Sequence, residues 1–185
     1  MKKIIVCILI FSSLAQADTY NFRFSPIHAI VGYVNTNLDI AVSPNWTLGP
    51  SLGLWNFNSS STTSSNSSNS YNYRIFALGA RANWFANEVY KDGLVVGPNI
   101  EFMSIDVKSK STTSDLSGKV TATILGCYVG YGWFWQSFNQ MLSGGIRTVG
   151  STKVKIEDSS GSTVDEASGV SNTGLTLEYT LGWTF

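Results

Sequence analysis

The chain has 185 residues, a formal net charge of zero and 13% charged residues, about half the fraction usual for a soluble globular protein. Aromatic residues make up another 13%. The even charge balance argues against a basic nucleic-acid-binding surface, so we expect no nucleic-acid partner. The length predicts a single domain.

The first 17 residues have the three parts of a secretory signal peptide. Lys2 and Lys3 give the positive start, Ile4–Phe11 is an apolar run, and Ala15-Gln16-Ala17 is a small-x-small cleavage site. The apolar run is too short for a membrane-spanning helix, which needs about 20 residues. We therefore expect a mature domain at 18–185. It contains one cysteine, Cys127, so we expect no internal disulfide.

The mature chain then alternates between apolar and polar residues, which is the period of a β-strand. The alternating segments are 18–28, 33–42, 46–58, 73–85, 94–107, 119–135, 140–157 and 170–185. The first contains Pro26, which favours a strand end, and an apolar bend follows near 29–32. In 119–135 apolar residues occupy both faces, so the pattern does not assign its facing.

Two kinds of connection alternate along the chain. Short turns lie near 43–45, 86–92 and 136–139, and long hydrophilic loops lie near 58–72, 108–118 and 158–169. An even number of strands with short turns at one end and longer loops at the other is typical of an outer-membrane barrel. The sequence predicts an all-β fold, an eight-stranded antiparallel up-and-down transmembrane β-barrel.

A soluble cup with an apolar interior would show the same alternation with its faces reversed. The placement of aromatic residues favours the membrane barrel, because they cluster at strand ends, where rings prefer the membrane interface. At the turn end the predicted aromatic girdle contains Trp46, Trp84, Trp133 and Trp135. At the loop end we expect a second one with Trp55, Phe57, Tyr71 and Tyr73.

Charged residues within the strands fall on the polar face, together with several glycines that leave room for long arginine side chains. The interior of an eight-stranded barrel is only wide enough to be filled by side chains, and buried charges must be paired. We therefore predict a lumen charge network of three basic and three acidic residues: Arg23, Asp39, Arg81, Glu101, Arg147 and Glu178. In it, Glu101 and Glu178 would pair with Arg81 and Arg147.

The C-terminal pattern Tyr179-x-x-x-Trp183-x-Phe185 resembles the assembly signal of bacterial outer-membrane proteins. The mature chain is similar to small barrels of the OmpA/OmpX type. More narrowly, four segments resemble an uncharacterised family of small Gram-negative barrels: Ser25-Pro26, Gly32, Asn37-Leu38-Asp39 and Trp46-Thr47-Leu48-Gly49. That family usually has Asn-Pro and Glu where this chain has Ser25-Pro26 and Asp39. The resemblance implies residence in the outer membrane. Its implied partners are outer-membrane lipid and, during biogenesis, the barrel-assembly machinery and periplasmic chaperones.

Catalytic patterns are sparse. Some small barrels modify lipid A, and the deacylase type resembles a Ser/His/acid hydrolase with His and Ser two residues apart. This chain has one histidine, His28, and no His-x-Ser. Glu101 and Glu178 have an alternative interpretation as an acid/base pair. One histidine and one cysteine make no metal-ligand cluster, and we expect no cofactor.

These observations predict a non-catalytic outer-membrane barrel with a structural or surface-interaction role. The polar loops either bind a surface ligand or keep the strand ends in water. Two alternatives remain open at this point, a narrow pore and a lipid A-modifying enzyme.

Overall fold

The structure is a computed structural model that describes residues 19–62, 68–110, 115–157, 163–169 and 171–185. The predicted signal peptide at 1–17 lies outside the described residues, as do 63–67, 111–114 and 158–162, which belong to the three predicted loops. In the described part of the chain, no helix is long and apolar enough to cross a membrane.

The described residues form nine strand segments and one short helix, α1 (Pro26–Ile30). The strands are β1 (Tyr20–Phe24), β2 (Tyr33–Ser43), β3 (Trp46–Thr62), β4 (Ser68–Phe85), β5 (Gly93–Lys110), β6 (Asp115–Trp135), β7 (Phe138–Glu157), β8 (Thr163–Gly169) and β9 (Asn172–Thr184).

Every strand pairs antiparallel with its neighbour in sequence from β1 to β7, and β9 pairs with both β7 and β1. The sheet is therefore closed. β8 and β9 run in the same direction along β7, β8 on residues 152–157 and β9 on residues 138–149, so together they occupy one position in the wall. This confirms the predicted eight-stranded antiparallel barrel.

The first strand is shorter than the sequence predicted. We expected a strand over 18–28, but β1 ends at Phe24 and α1 follows. Pro26 stands at the first helical position, where its missing N–H costs nothing. Gly32, with φ of +80°, ends the turn by donating its N–H to the carbonyl of Ala29 at 3.0 Å.

The strands are longer at the loop end than the sequence predicted. β3 and β4 remain in register through Asn58↔Asn72 to Thr62↔Ser68, inside the range 58–72. Strand pairing also enters 108–118 and 158–169 through β5, β6 and β8. Polar sequence suggested loops, but the ladder continues because cross-strand backbone bonds do not require apolar side chains.

The barrel is polar inside and apolar outside. Buried polar side chains include Asn21, Asn37, Thr47, Asn83, Asn139 and Thr180. The exposed face carries large apolar residues such as Leu48, Leu78, Ile100, Val129 and Leu142. In β6 the structure decides what the sequence left open, with Ile124 and Tyr128 inside and Leu125 and Val129 outside.

At the turn end, the predicted girdle residues Trp46 and Trp84 are cross-strand neighbours and both are exposed. Trp135 is exposed as well, and Trp133 packs on Tyr131 with ring centroids 4.9 Å apart.

The aromatic residues predicted to form a girdle at the loop end do not lie on the outer wall. Four aromatic residues lie on the same face of β3 and β4 that points into the lumen nearer the turn end: Trp55, Phe57, Tyr71 and Tyr73. Their rings contact one another. They therefore line the inner face of the mouth, because the alternation of β3 and β4 continues without a bulge.

Candidate functional site

Two ion pairs lie inside the barrel. Arg81 Nη2 is 2.8 Å from Glu178 Oε2, and Arg23 Nη2 is 2.7 Å from Asp39 Oδ2. None of the four side chains is more than 6% exposed. Arg81 and Glu178 belong to β4 and β9, which are not neighbours in the wall, so their contact crosses the lumen.

The two pairs differ in geometry. Arg81 donates a hydrogen bond to Glu178, which also accepts one from Asn35 Nδ2 at 3.4 Å. Arg23 and Asp39 are close, but the N–H groups of Arg23 Nη2 are not directed at the carboxylate. Arg23 Nη1 donates instead to Met141 Sδ at 3.0 Å. The Arg23–Asp39 contact is therefore mainly one of charge.

Tyr128 and Asn83 join the two ion pairs into one network. The guanidinium carbon of Arg81 lies 4.7 Å from the ring centroid of Tyr128, a cation–π arrangement. The Tyr128 hydroxyl donates to Asn83 Oδ1. Asn83 Nδ2 in turn donates to Asp39 Oδ1 at 2.9 Å and to Thr47 Oγ1 at 2.8 Å. The network therefore runs without a break from Glu178 to Arg23.

Below this network the turn end is closed by a floor. Its apolar part is the cluster of Phe85, Tyr90, Val95, Tyr128 and Met141, against which Ala41, Val89 and Phe134 pack. The Tyr90 hydroxyl donates to the Asp39 carbonyl at 3.0 Å, which ties the turn 86–92 to the wall. Asn139 Nδ2 donates to Asn21 Oδ1 at 2.8 Å beside it.

Glu101 and Arg147 do not join this network. Both are half-buried on the lumen face nearer the loop end, and neither forms an ion pair with a residue that the structure describes. The structure thus pairs four of the six predicted residues. Asn83 and Tyr128, which connect them, were missed. The alternation did place Asn83 on the polar face, but Tyr128 lies in the strand whose facing the pattern left unassigned.

Glycines make room for the large lumen side chains. A Cβ on Gly182 would meet Arg23 Cγ at 2.6 Å, and one on Gly97 would meet the Tyr128 hydroxyl at 2.9 Å. Real Cβ atoms essentially never approach this closely. We expected the lumen glycines to accommodate arginines. The structure shows that Gly97 accommodates the side chain of Tyr128 and that Gly53 accommodates that of Tyr33.

The barrel wall is incomplete beside β1. Its ladder with β9 ends at Phe24↔Leu181, and its ladder with β2 ends at Phe24↔Thr36. Beyond these points α1 lies between β2 and β9, with Ile27 and Ile30 exposed. On β9, Leu175 is 90% and Leu177 73% exposed. We call this gap between β2 and residues 172–180 of β9 the seam.

The seam predicts an alternating pattern of amide exchange along β9. Phe185 N bonds to Tyr20 on the β1 side and Thr184 N to Ser137 on the β7 side. Strand alternation therefore points the amides of Leu175, Leu177 and Tyr179 into the seam. We expect them to exchange with deuterium faster than those of Thr176, Glu178 and Thr180, measured by NMR in micelles. Equal protection of both sets would show that the seam is closed.

His28 is the last residue of the first alternating segment, 18–28, and we expected it at the outer end of a strand. In the structure it lies in α1 instead. Its ring contacts Tyr33 edge-on, with centroids 5.4 Å apart, and its Nδ1 is buried without a hydrogen-bond partner. Among the described residues there is no group of His, Cys, Asp and Glu that could hold a metal ion.

The residues of the predicted C-terminal signal lie on the strand that closes the barrel. Trp183 stacks on Phe24 with centroids 6.0 Å apart, and Phe185 stacks on Tyr20 at 6.0 Å while remaining 66% exposed. Tyr179 donates its hydroxyl to Gln140 Oε1.

No family model matches the chain, and no curated protein matches it either. Among solved structures, it is similar to a major outer membrane protein from Thermus thermophilus. The TM-score is 0.56 at 8% identity, over 90% of this chain and 99% of that one. The outer membrane protease OmpT from Escherichia coli aligns at 14% identity with a TM-score of 0.40, over 83% of this chain and 63% of its own. CarO from Acinetobacter baumannii aligns at 12% identity with a TM-score of 0.37, over 92% and 97%. With a closed ring of eight strand positions, a polar lumen and an apolar outer wall, this chain has the fold of a small bacterial outer-membrane β-barrel.

Proposed function

We propose that this protein is a bacterial outer-membrane barrel that neither conducts solutes nor catalyses a reaction, and that its role is structural or in surface interaction. The observation that carries the proposal is the filled lumen. The network from Glu178 to Arg23 crosses the barrel, and the apolar floor lies beneath it. A solute passing between the two ends would have to displace both layers.

The lumen carboxylates support a structural role over an acid/base role. Both oxygens of Glu178 accept hydrogen bonds, from Asn35 and from Arg81. Asp39 is held by Arg23 and Asn83. A general acid or base must reach a proton on a substrate, and these groups are buried with partners from the protein itself.

Location and partners belong to the same proposal. The mature domain would reach the outer membrane after removal of residues 1–17, with help from periplasmic chaperones and the barrel-assembly machinery. The exposed Phe185 at the end of the closing strand is consistent with an assembly signal that is read from outside the barrel. The loop end would then face the cell's surroundings and any surface ligand.

Conductance in a planar bilayer tests the filled lumen. We expect the refolded protein to produce no steady channels, since ion passage would require breaking the Arg81–Glu178 contact inside a low-dielectric wall. An open porin inserted in the same bilayer is the positive control. Steady ion-conducting openings of the wild-type protein would contradict the proposal and favour the narrow pore.

A further inference from the structure

The outer wall carries a group of cations beyond its apolar band. Arg74, Asp106, Lys119 and Lys155 form one row across β4, β5, β6 and β7, each in register with the next. Lys108 and Lys153 lie two residues from Asp106 and Lys155 on the same strands. We call all six residues the cationic row; five of them are exposed cations, and Asp106 is the acidic one.

These side chains point away from the lumen. On β4, Arg74 is two residues from the exposed Phe76, and on β5, Asp106 and Lys108 continue the face of Phe102. Residues two apart share a face of a strand. On β6, Lys119 shares the face of the exposed Leu125.

On β7 the alternation of inward and outward side chains changes phase once. Ile146 is exposed below an irregularity opposite residues 122–124, where β7 contributes an extra residue. A bulge of this kind moves the following residues to the other face. As a result Lys153 and Lys155 are exposed, and both stand beside β6 residues of the outward face.

The heights of Arg74 and Lys108 match the headgroup zone of the outer leaflet. The apolar outward face of β5 runs from Leu94 to Phe102, the nine residues or so that a tilted strand needs to cross a bilayer. Each residue adds about 2.5 Å of height in a strand tilted by about 45°. Arg74 therefore lies about 5 Å above Phe76, and Lys108 about 15 Å above Phe102.

Grooves in the outer wall lead to these cations from below. One, of about 480 Å³, is lined by Phe76, Leu78 and Phe102 and reaches Lys153. A second, of about 380 Å³, is lined by Val34, Leu54 and Phe76 and reaches Arg74. Both are lined mainly by apolar surface, which an acyl chain requires.

A polar pocket lies above the two grooves. It has a volume of about 760 Å³, and its lining includes Asn58, Asn72, Arg74, Asp106 and Lys108. Amide and charged groups of this kind hydrogen-bond sugar hydroxyls and phosphate oxygens.

We propose that this surface binds a phosphorylated, multiply acylated glycolipid of the outer leaflet. Its phosphates would lie on the cationic row, its sugars in the polar pocket and two of its acyl chains in the grooves that share Phe76. The row extends across four strands that are about 4.8 Å apart. This width is greater than that of one phosphate group and can accommodate two. Phosphatidylglycerol, an anionic phospholipid, has one phosphate and no sugar, so it would occupy only part of the surface.

The test is lipid retention by the folded barrel in a neutral detergent, measured by native mass spectrometry. We expect wild-type protein to retain a bisphosphorylated, hexa-acylated glycolipid, and to retain its dephosphorylated form and phosphatidylglycerol far less. The triple variant Arg74→Gln, Lys119→Gln, Lys153→Gln should bind about fivefold more weakly for each cation removed. Phe76→Thr should weaken retention while leaving every charge in place.

Lys91→Gln is the matched control, because Lys91 is an exposed lysine in the turn 86–92 at the opposite end. We expect it to bind as wild type does. Heat-modifiable migration on a gel verifies that each variant is folded. Wild-type retention by the triple variant, an equal loss in Lys91→Gln, or equal binding of phosphatidylglycerol would overturn the proposal. Conductance does not depend on this surface, so the two proposals can fail separately.

Discussion

Arg81→Met is expected to lower the free energy of unfolding by about 3–5 kcal/mol, the usual cost of removing one partner of a buried ion pair. The substitution keeps much of the side-chain volume but leaves Glu178, only 5% exposed, without its cation. It also removes the cation above the Tyr128 ring. The measurement is the urea midpoint of the refolded protein in detergent micelles.

Two further variants test this explanation. Arg81→Met with Glu178→Met should recover most of the stability, because no unpaired charge then remains in the lumen. Arg147→Met changes another lumen arginine, which is half-buried and has no ion pair among the described residues. It should therefore have a clearly smaller effect. Equal losses in Arg81→Met and Arg147→Met would show that the Arg81–Glu178 contact is not the stabilising element.

Phe185→Ala is expected to reduce the amount of folded protein in the outer membrane severalfold while changing the stability of the folded barrel little. The ring is 66% exposed on the outer wall, so its truncation removes few contacts within the protein, worth about 1 kcal/mol. The two backbone bonds between Phe185 and Tyr20 do not involve the side chain and remain. Assembly is measured by heat-modifiable migration of the membrane fraction, and stability by the urea midpoint.

Phe22→Ala is the control for this effect. Phe22 is also an exposed aromatic residue of the outer wall, on the neighbouring strand β1, but it lies outside the C-terminal pattern. Assembly of Phe22→Ala should be close to that of wild type. If the two variants assemble equally well, Phe185 is an ordinary wall residue and the signal hypothesis is wrong.

The seam and the cationic row lie on the outer half of the barrel but on different strands. The seam separates β9 from β2, whereas the row extends from β4 to β7. The barrel wall therefore differs around its circumference. In the described part of the chain it lacks strand pairing beside α1, whereas the long strands β4 to β7 extend it at the loop end. The cationic row is the region that lies next to both grooves and the polar pocket, and it is the one for which we propose a ligand.

The alternation of residues along the chain was enough to predict the strands, their number and the polar lumen. It is a local property with a period of two, and a barrel that is apolar outside imposes it on every strand. The same alternation placed Arg23, Asp39, Arg81 and Glu178 on the inner face. Pro26 and Gly32, at the two ends of the α1 turn, were also apparent in the sequence. The short β1 was nevertheless missed, because 18–28 alternates well enough to be interpreted as one strand.

The sequence by itself therefore determined the class of fold and the inner and outer faces of most strands. Only the tertiary structure decided that Arg81 pairs with Glu178 while Arg147 does not, and that Tyr128 and Asn83 connect the two ion pairs. The physical reason is that these contacts cross the lumen between strands far apart in sequence, 97 residues for Arg81 and Glu178. Which side chains meet there depends on the stagger of the strands around the closed barrel. A strand-by-strand pattern contains no information on that stagger.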